Sequence, residues 1–244
     1  MNRIVIATAS SICISFILIP IFHLLFSIDF HMWLSALKDR ELWSAIKISF
    51  ICAFSASLIG IFIGMPLGFL VARKNFYGSS ILESITFLPI VIPHVAVGIM
   101  LLCFFSSIGI SITDTIYGII IAMCFVSISY VISSWVMGIK AIDPELEWTA
   151  RSLGAGPFYT FFKITFPLVL PYIGRGFILS FARALSEVGS ILIIAYYPKS
   201  IPILIYERFE NFGLKAATPI AAFVIIISLI MFSALILIGK QDSY

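Results

Sequence analysis

Arg183 and Glu187 stand four residues apart in SFARALSEVGS, residues 180–190, within an otherwise apolar stretch. That spacing stacks both charges on one face of a helix. Turned toward lipid, either charge would be costly, so they should face a pathway, an interface or each other. Two readings follow. The pair fixes helix register, or it belongs, with Ser186 and Gly189 beside it, to a polar pathway or gate through a membrane. The other residues able to do chemistry are scattered. His23, His31 and His94 lie far apart, and His94, just after Pro89 and Pro93, reads as a satisfied polar group beside a kink. Cys13, Cys52, Cys103 and Cys124 sit inside apolar runs without CxxC spacing, so they read as small buried hydrophobes rather than disulfide or metal ligands. The chain has no GxxxxGK[ST] loop to cradle ATP, no HExxH and no GxSxG. No catalytic set, metal or bound cofactor is therefore expected on this chain.

A charged pair in an apolar stretch needs elements that cross a bilayer, and the composition supplies them. The chain is 61% hydrophobic and 11% charged with a mean hydropathy of +1.14; soluble domains carry about 25% charged residues. A net charge of +3 with no basic cluster gives no footprint for nucleic acid. A span takes about 20 apolar residues. Such runs occur at 4–26, 48–72, 84–106, 115–139, 168–197 and 216–239, predicting six spans in one transmembrane domain over residues 1–244. The first run is longer than a signal-peptide core and no small-x-small site follows it, so it is expected to stay as a span. A polar turn is expected at Arg73-Lys74-Asn75. Six spans put both termini on one side. Arg3, Arg73, Lys74, Lys140, Arg151, Lys163 and Lys240 against Lys38, Arg40, Lys199, Arg208 and Lys215 favours the cytoplasm for that side.

Two spans carry backbone signals. Cys52, Ala56, Gly60, Gly64, Gly68 and Ala72 recur at every fourth residue of the second span. Small residues at that spacing let another helix come close, and packing within one subunit is expected ahead of a dimer contact. In the third span Pro89 and Pro93 free backbone carbonyls and bend the helix.

The segment 140–167 is too short and too polar to span. Asp143-Pro144 reads as an N-cap and first helical residue, with Glu145 and Glu147 at the positive end of the dipole. Leu146, Ala150 and Leu153 share a face, and Gly154 can take the left-handed conformation that ends a helix. Gly156-Pro157 starts a second helix with Phe158, Phe161, Phe162 and Thr165 on a common side. The pair lies outside the membrane and must touch something there.

This segment resembles the cytoplasmic loop of the membrane subunits of ATP-binding-cassette (ABC) importers: a Glu-Ala-Ala triplet, three residues, a glycine, nine residues, then Ile-x-Leu-Pro. Here the glycine is Gly154, and Ile164 and Pro167 follow at the matching positions. The triplet falls on Trp148-Thr149-Ala150, where Ala150 agrees and the acid is displaced to Glu147. Arg151, Leu153 and Ala155 are also similar to the family's wording. The Phe181-Ala182-Arg183-Ala184 run with Glu187, the Leu88–Gly98 stretch and Ile205–Glu210 resemble the molybdate, tungstate and sulfate importers. The resemblance implies an all-α type I importer permease in which this loop is a coupling helix docking on an ATPase subunit. It implies a homodimer, two ATPase subunits that hold ATP and Mg, an external oxyanion-binding protein, and the cell membrane as location. Sulfate, thiosulfate or another small anion is the alternative cargo. An ion-coupled transporter or channel is the reading of a different class; few ionisable groups in the other spans and the extramembrane helix pair speak against it.

Overall fold

The computed structural model describes residues 3–73 and 78–241 and is all-helical, with no strand among those residues. The expected turn at Lys74-Asn75 lies outside the described residues. The helices are α1 (Arg3–Phe26), α2 (Phe30–Lys38), α3 (Arg40–Arg73), α4 (Ser79–Val91), α5 (His94–Ser107), α6 (Ile116–Lys140), α7 (Pro144–Ser152), α8 (Pro157–Thr160), α9 (Phe166–Leu185), α10 (Gly189–Ile194), α11 (Ile201–Phe212) and α12 (Leu214–Gln241). A π-helical turn, Phe161–Thr165, joins α8 to α9. Five helical segments are long and apolar enough to cross a membrane: Val5–Phe26, Arg40–Arg73, Ile116–Lys140, Pro157–Leu185 and Leu214–Met231. The bent pair α4–α5 makes a sixth if taken as one broken span.

Two expected spans are interrupted. Between α4 and α5 the axis turns by 107°. Pro89 is carried inside α4, and the break falls at Ile92-Pro93. The 13 residues of α4 and 14 of α5 rise about 20 Å each, so neither crosses the roughly 30 Å core alone. The run expected as one span at 168–197 also divides: α9 ends at Leu185 and α10 restarts at Gly189. Arg183 is helical, whereas Glu187 lies in the gap. No proline marks that gap; Glu187 within it is held by Ser190, Arg183 and His94.

The chain forms two compact units, Met1–Ser44 with Leu204–Ser233, and Ala45–Ile203 with Ala234–Tyr244. In the first, Asp39 caps α3 by accepting from Glu41 N at 2.8 Å. Arg208 of α11 bonds Asp39 Oδ2 at 3.1 Å and Glu41 Oε2 at 2.7 Å, and Trp43 meets Phe223 edge-on. Within Val5–Phe26 of α1 no side chain is buried.

In the second unit α6 is the hub, buried on most of its turns. The small-residue stripe of α3 lies against it. Cys52 and Ala56 are fully buried. A Cβ on Gly60 would rest 3.6 Å from Val131, one on Gly64 would press at 3.1 Å on Ile132, and one on Gly68 would collide with Trp135 Cβ. The other side of α6 takes the buried face of α9, including Val169, Ile173, Gly176 and Ala184. Trp135, Ile139, Ile142, Val169 and Ile173 form a core cluster, and Trp135 Nε1 donates to Ile61 O at 3.0 Å.

Candidate functional site

Two assemblies of polar side chains stand on this frame. The first is the α7–α8 element. Asp143 Oδ1 accepts from Glu145 N at 2.9 Å and Pro144 occupies the first turn, so α7 starts where a local N-cap dictates. At its end Gly154 sits at φ +91°. Its N–H donates to Arg151 O and that of Ala155 to Ala150 O, both at 3.0 Å, closing the orphan carbonyls of the last turn.

Glu147 is turned inward and buried. Its Oε1 accepts from Thr165 Oγ at 2.7 Å and from Arg73 Nη2 at 3.2 Å, while Arg73 Nη1 donates to Ile142 O at 3.2 Å. The carboxylate therefore ties α7 to the end of α3 and to the π-helical turn. Phe161 in that turn packs edge-on against Phe69 of α3 and beside Phe166 of α9. The element is braced to α3, α6 and α9 from beneath.

Its outer surface is apolar and open. Trp148, Leu153, Phe158, Tyr159 and Phe162 are 60–84% exposed, and Leu146 is half exposed. Thr149, Arg151 and Gly154 are exposed with them; Ala150, Ala155 and Ile164 are partly covered, and Pro167 is exposed at the start of α9. The expected common side for Phe158, Phe161, Phe162 and Thr165 is not formed. The π-helical turn shifts the register, leaving Phe158 and Phe162 outside, Phe161 half-buried and Thr165 buried.

The second assembly lies where the two helix breaks meet. Glu187 is fully buried. Its Oε1 accepts from Ser190 N and Ser190 Oγ, each at 2.8 Å; Oε2 accepts from Arg183 Nη2 at 2.9 Å and lies 3.2 Å from His94 Nδ1. Three donors, one of them a guanidinium, occupy both carboxylate oxygens, so the buried charge is paired and hydrogen-bonded. Arg183 Nη2 is also 2.7 Å from His94 Nε2. The same nitrogen is 3.0 Å from His94 Nδ1, so the guanidinium sits against both ring nitrogens. Ser186 is exposed and its Oγ donates to Arg183 O at 2.9 Å. Gly189 permits the crossing, since a Cβ there would press at 2.9 Å on His94 Cβ; Gly98 does the same against Ser190 O at 2.8 Å.

Sequence reasoning paired Arg183 with Glu187 but left His94 alone, because a separation of 89 positions between His94 and Arg183 carries no local signal. It also passed over Arg175. That side chain is exposed midway along α9 and has no hydrogen bond or ion pair among the described residues. The available signal was an ionisable residue inside a membrane span.

A structured, outward apolar helix pair attached to a bundle of spans sets the fold beside known transport proteins. Residues 64–243 match the family described as binding-protein-dependent transport system inner membrane component. The chain belongs to this family. It is 44% identical to molybdate/tungstate transport system permease protein WtpB of Pyrococcus abyssi, over 97% of this chain and 96% of that one. It is 33% identical to the probable sulfate transport system permease protein cysT of Marchantia polymorpha, over 91% and 82%. Among solved structures, a chain from a bacterial ABC transporter involved in the import of the acidic polysaccharide alginate superposes with a TM-score of 0.75 at 18% identity, over 99% of this chain and 96% of that chain. At that identity the fold is what is shared: an all-α importer-permease fold. As a member of this inner-membrane family, the chain is a multi-pass membrane protein.

Proposed function

We propose that this chain is the permease subunit of an ATP-driven importer for a tetrahedral oxyanion, molybdate or tungstate. Two copies form one pathway, with both termini and the α7–α8 element cytoplasmic. Two separate ATPase subunits hold ATP and Mg, and an external binding protein delivers the anion. The observation that carries this reading is the α7–α8 surface: apolar side chains exposed outside the spans, on an element held from beneath by the buried Glu147 contacts. Such a surface is stable in water only when covered, and the brace transmits its displacement to α3, α6 and α9. The 44% identical permease named for molybdate and tungstate supports the cargo.

In this mechanism the chain catalyses nothing. ATP closes the ATPase pair and draws the two α7–α8 elements together. The α9 helices then move as rigid bodies and the pathway changes the side on which it opens. Hydrolysis reverses the shift. The work comes from differential binding of the ATPase to the two states.

Sulfate is the second reading, favoured by the 33% identity to a permease named for sulfate transport. The deciding experiment reconstitutes the permease with its ATPase and binding protein in proteoliposomes and measures ATP-dependent uptake of molybdate, tungstate and sulfate. The proposal expects molybdate or tungstate to enter and to outcompete sulfate. Preferential sulfate uptake would give the second reading, and ATP-independent flux would leave a channel or ion-coupled carrier.

A further inference from the structure

We infer that Arg175 is the anion-selecting side chain of the translocation route, a role that rests on the oxyanion-importer reading above. Arg175 is the tenth of the 20 residues of α9, roughly 14 Å along the axis from either end. On the opposite face Val169, Ile173, Gly176 and Ser180 are buried. Arg175 shares the open face with Leu168, Pro171, Gly174 and Leu179, which this subunit leaves uncovered. At Gly174 even an added Cβ would meet nothing within 4 Å.

Charge accounts for the rest. Every other cation in this part of α9 is compensated: Arg183 is held by Glu187 at 2.9 Å. Arg175 has no acceptor among the described residues. A guanidinium midway along a span is tolerated where it meets water, protein or an anion, and is costly against hydrocarbon. The open face of α9 therefore turns to a hydrated route between copies, and carries one uncompensated positive charge per copy. Two copies present two charges to a tetrahedral dianion. The planar fork of a guanidinium suits two oxygens of such an anion, and its permanent charge rejects cations. Arg183, whose charge Glu187 already balances at 2.9 Å, keeps the helix break in shape and leaves the cargo contact to Arg175.

The test compares wild type with Arg175→Gln and Arg175→Lys in the reconstituted complex, measuring molybdate uptake and binding-protein-stimulated ATP hydrolysis together. Arg175→Gln should lower uptake roughly ten- to hundredfold, the range set by a lost charge-assisted hydrogen bond, while stimulated hydrolysis stays within about twofold. Arg175→Lys should recover part of the uptake. Wild-type uptake by Arg175→Gln overturns the inference, as does equal loss of uptake and stimulation in all variants, which marks a folding role. Headgroup phosphate is the rival anion. If removing anionic lipid drops wild type to the Arg175→Gln level and leaves that variant unchanged, the guanidinium serves lipid and the inference is wrong. A wild-type complex that hydrolyses ATP but imports no oxyanion fails one step earlier, at the proposed function.

Discussion

Replacing Glu147 separates the brace beneath the α7–α8 element from the surface above it. The side chain is 9% exposed and Arg73 is 15% exposed, so the pair is largely desolvated and removing one member leaves the other without its charge partner. Breaking a buried pair costs about 3–5 kcal/mol. Glu147→Ala belongs near the lower end, about 3 kcal/mol, because Arg73 keeps its bond to Ile142 O. Glu147→Gln keeps the shape and an acceptor for Thr165, losing only charge assistance, about 1 kcal/mol. At about 1.4 kcal/mol per tenfold, the anchored orientation of α7 is disfavoured over a hundredfold in the first variant and a few-fold in the second. Native-state hydrogen exchange reads this directly. Amides of residues 146–152 should exchange about two orders of magnitude faster in Glu147→Ala, with α6 unchanged. In the complex, anion imported per ATP should fall in the same order, Ala below Gln below wild type. Unchanged exchange in α7 of Glu147→Ala would refute the brace, whatever happened to transport.

Substitutions at Gly154, at the Arg183–Glu187 pair and along α3 probe other links. Gly154 has φ +91° with nothing within 4 Å of an added Cβ, so Gly154→Ala should cost about 1–2 kcal/mol of backbone strain alone. Gly154→Asn should cost less, and Gly154→Asp should uncouple hydrolysis from uptake by placing a charge beside the apolar surface while insertion stays normal; coupled uptake in Gly154→Asp would count against docking there. Glu187→Ala should destabilise the purified protein by about 3–5 kcal/mol, seen as a lower melting temperature in detergent. Exchanging Arg183→Glu with Glu187→Arg should not restore it, since arginine cannot accept the Ser190 N–H and O–H bonds; full recovery would show that pairing alone matters. In α3, Gly68→Ala should destabilise by about 1–3 kcal/mol through overpacking on Trp135. Gly60→Ala, with 3.6 Å of room, should be neutral or stabilising, and equal melting points for the two would contradict the packing of α3 on α6.

What the sequence made legible was what local chemistry decides. Asp143-Pro144 and Gly154 set the ends of α7 through caps and a left-handed residue, and the apolar runs marked where long helices lie but not the breaks at Ile92-Pro93 and after Leu185. What stayed hidden depends on contacts far apart in the chain. The Arg73–Glu147 and His94–Arg183 contacts join residues 74 and 89 positions apart. Glu187 reads as a helical residue until Ser190 and His94 are seen to fill its oxygens. The π-helical turn has no proline or glycine to announce it, so the sequence pattern does not show that Phe158 and Phe162 stay exposed while Phe161 is half-buried and Thr165 buried. Arg175 was in plain view, but that it has no partner among the described residues is something only the fold shows.

The most direct measurement of the central claim is gentle purification of a tagged copy, with mass spectrometry of what remains bound and in what ratio. The account predicts a soluble ATPase carrying a phosphate-loop motif, two per two copies of this chain, released by Gly154→Asp. A chain that emerges alone, with no ATPase captured even after cross-linking in membranes, would contradict it.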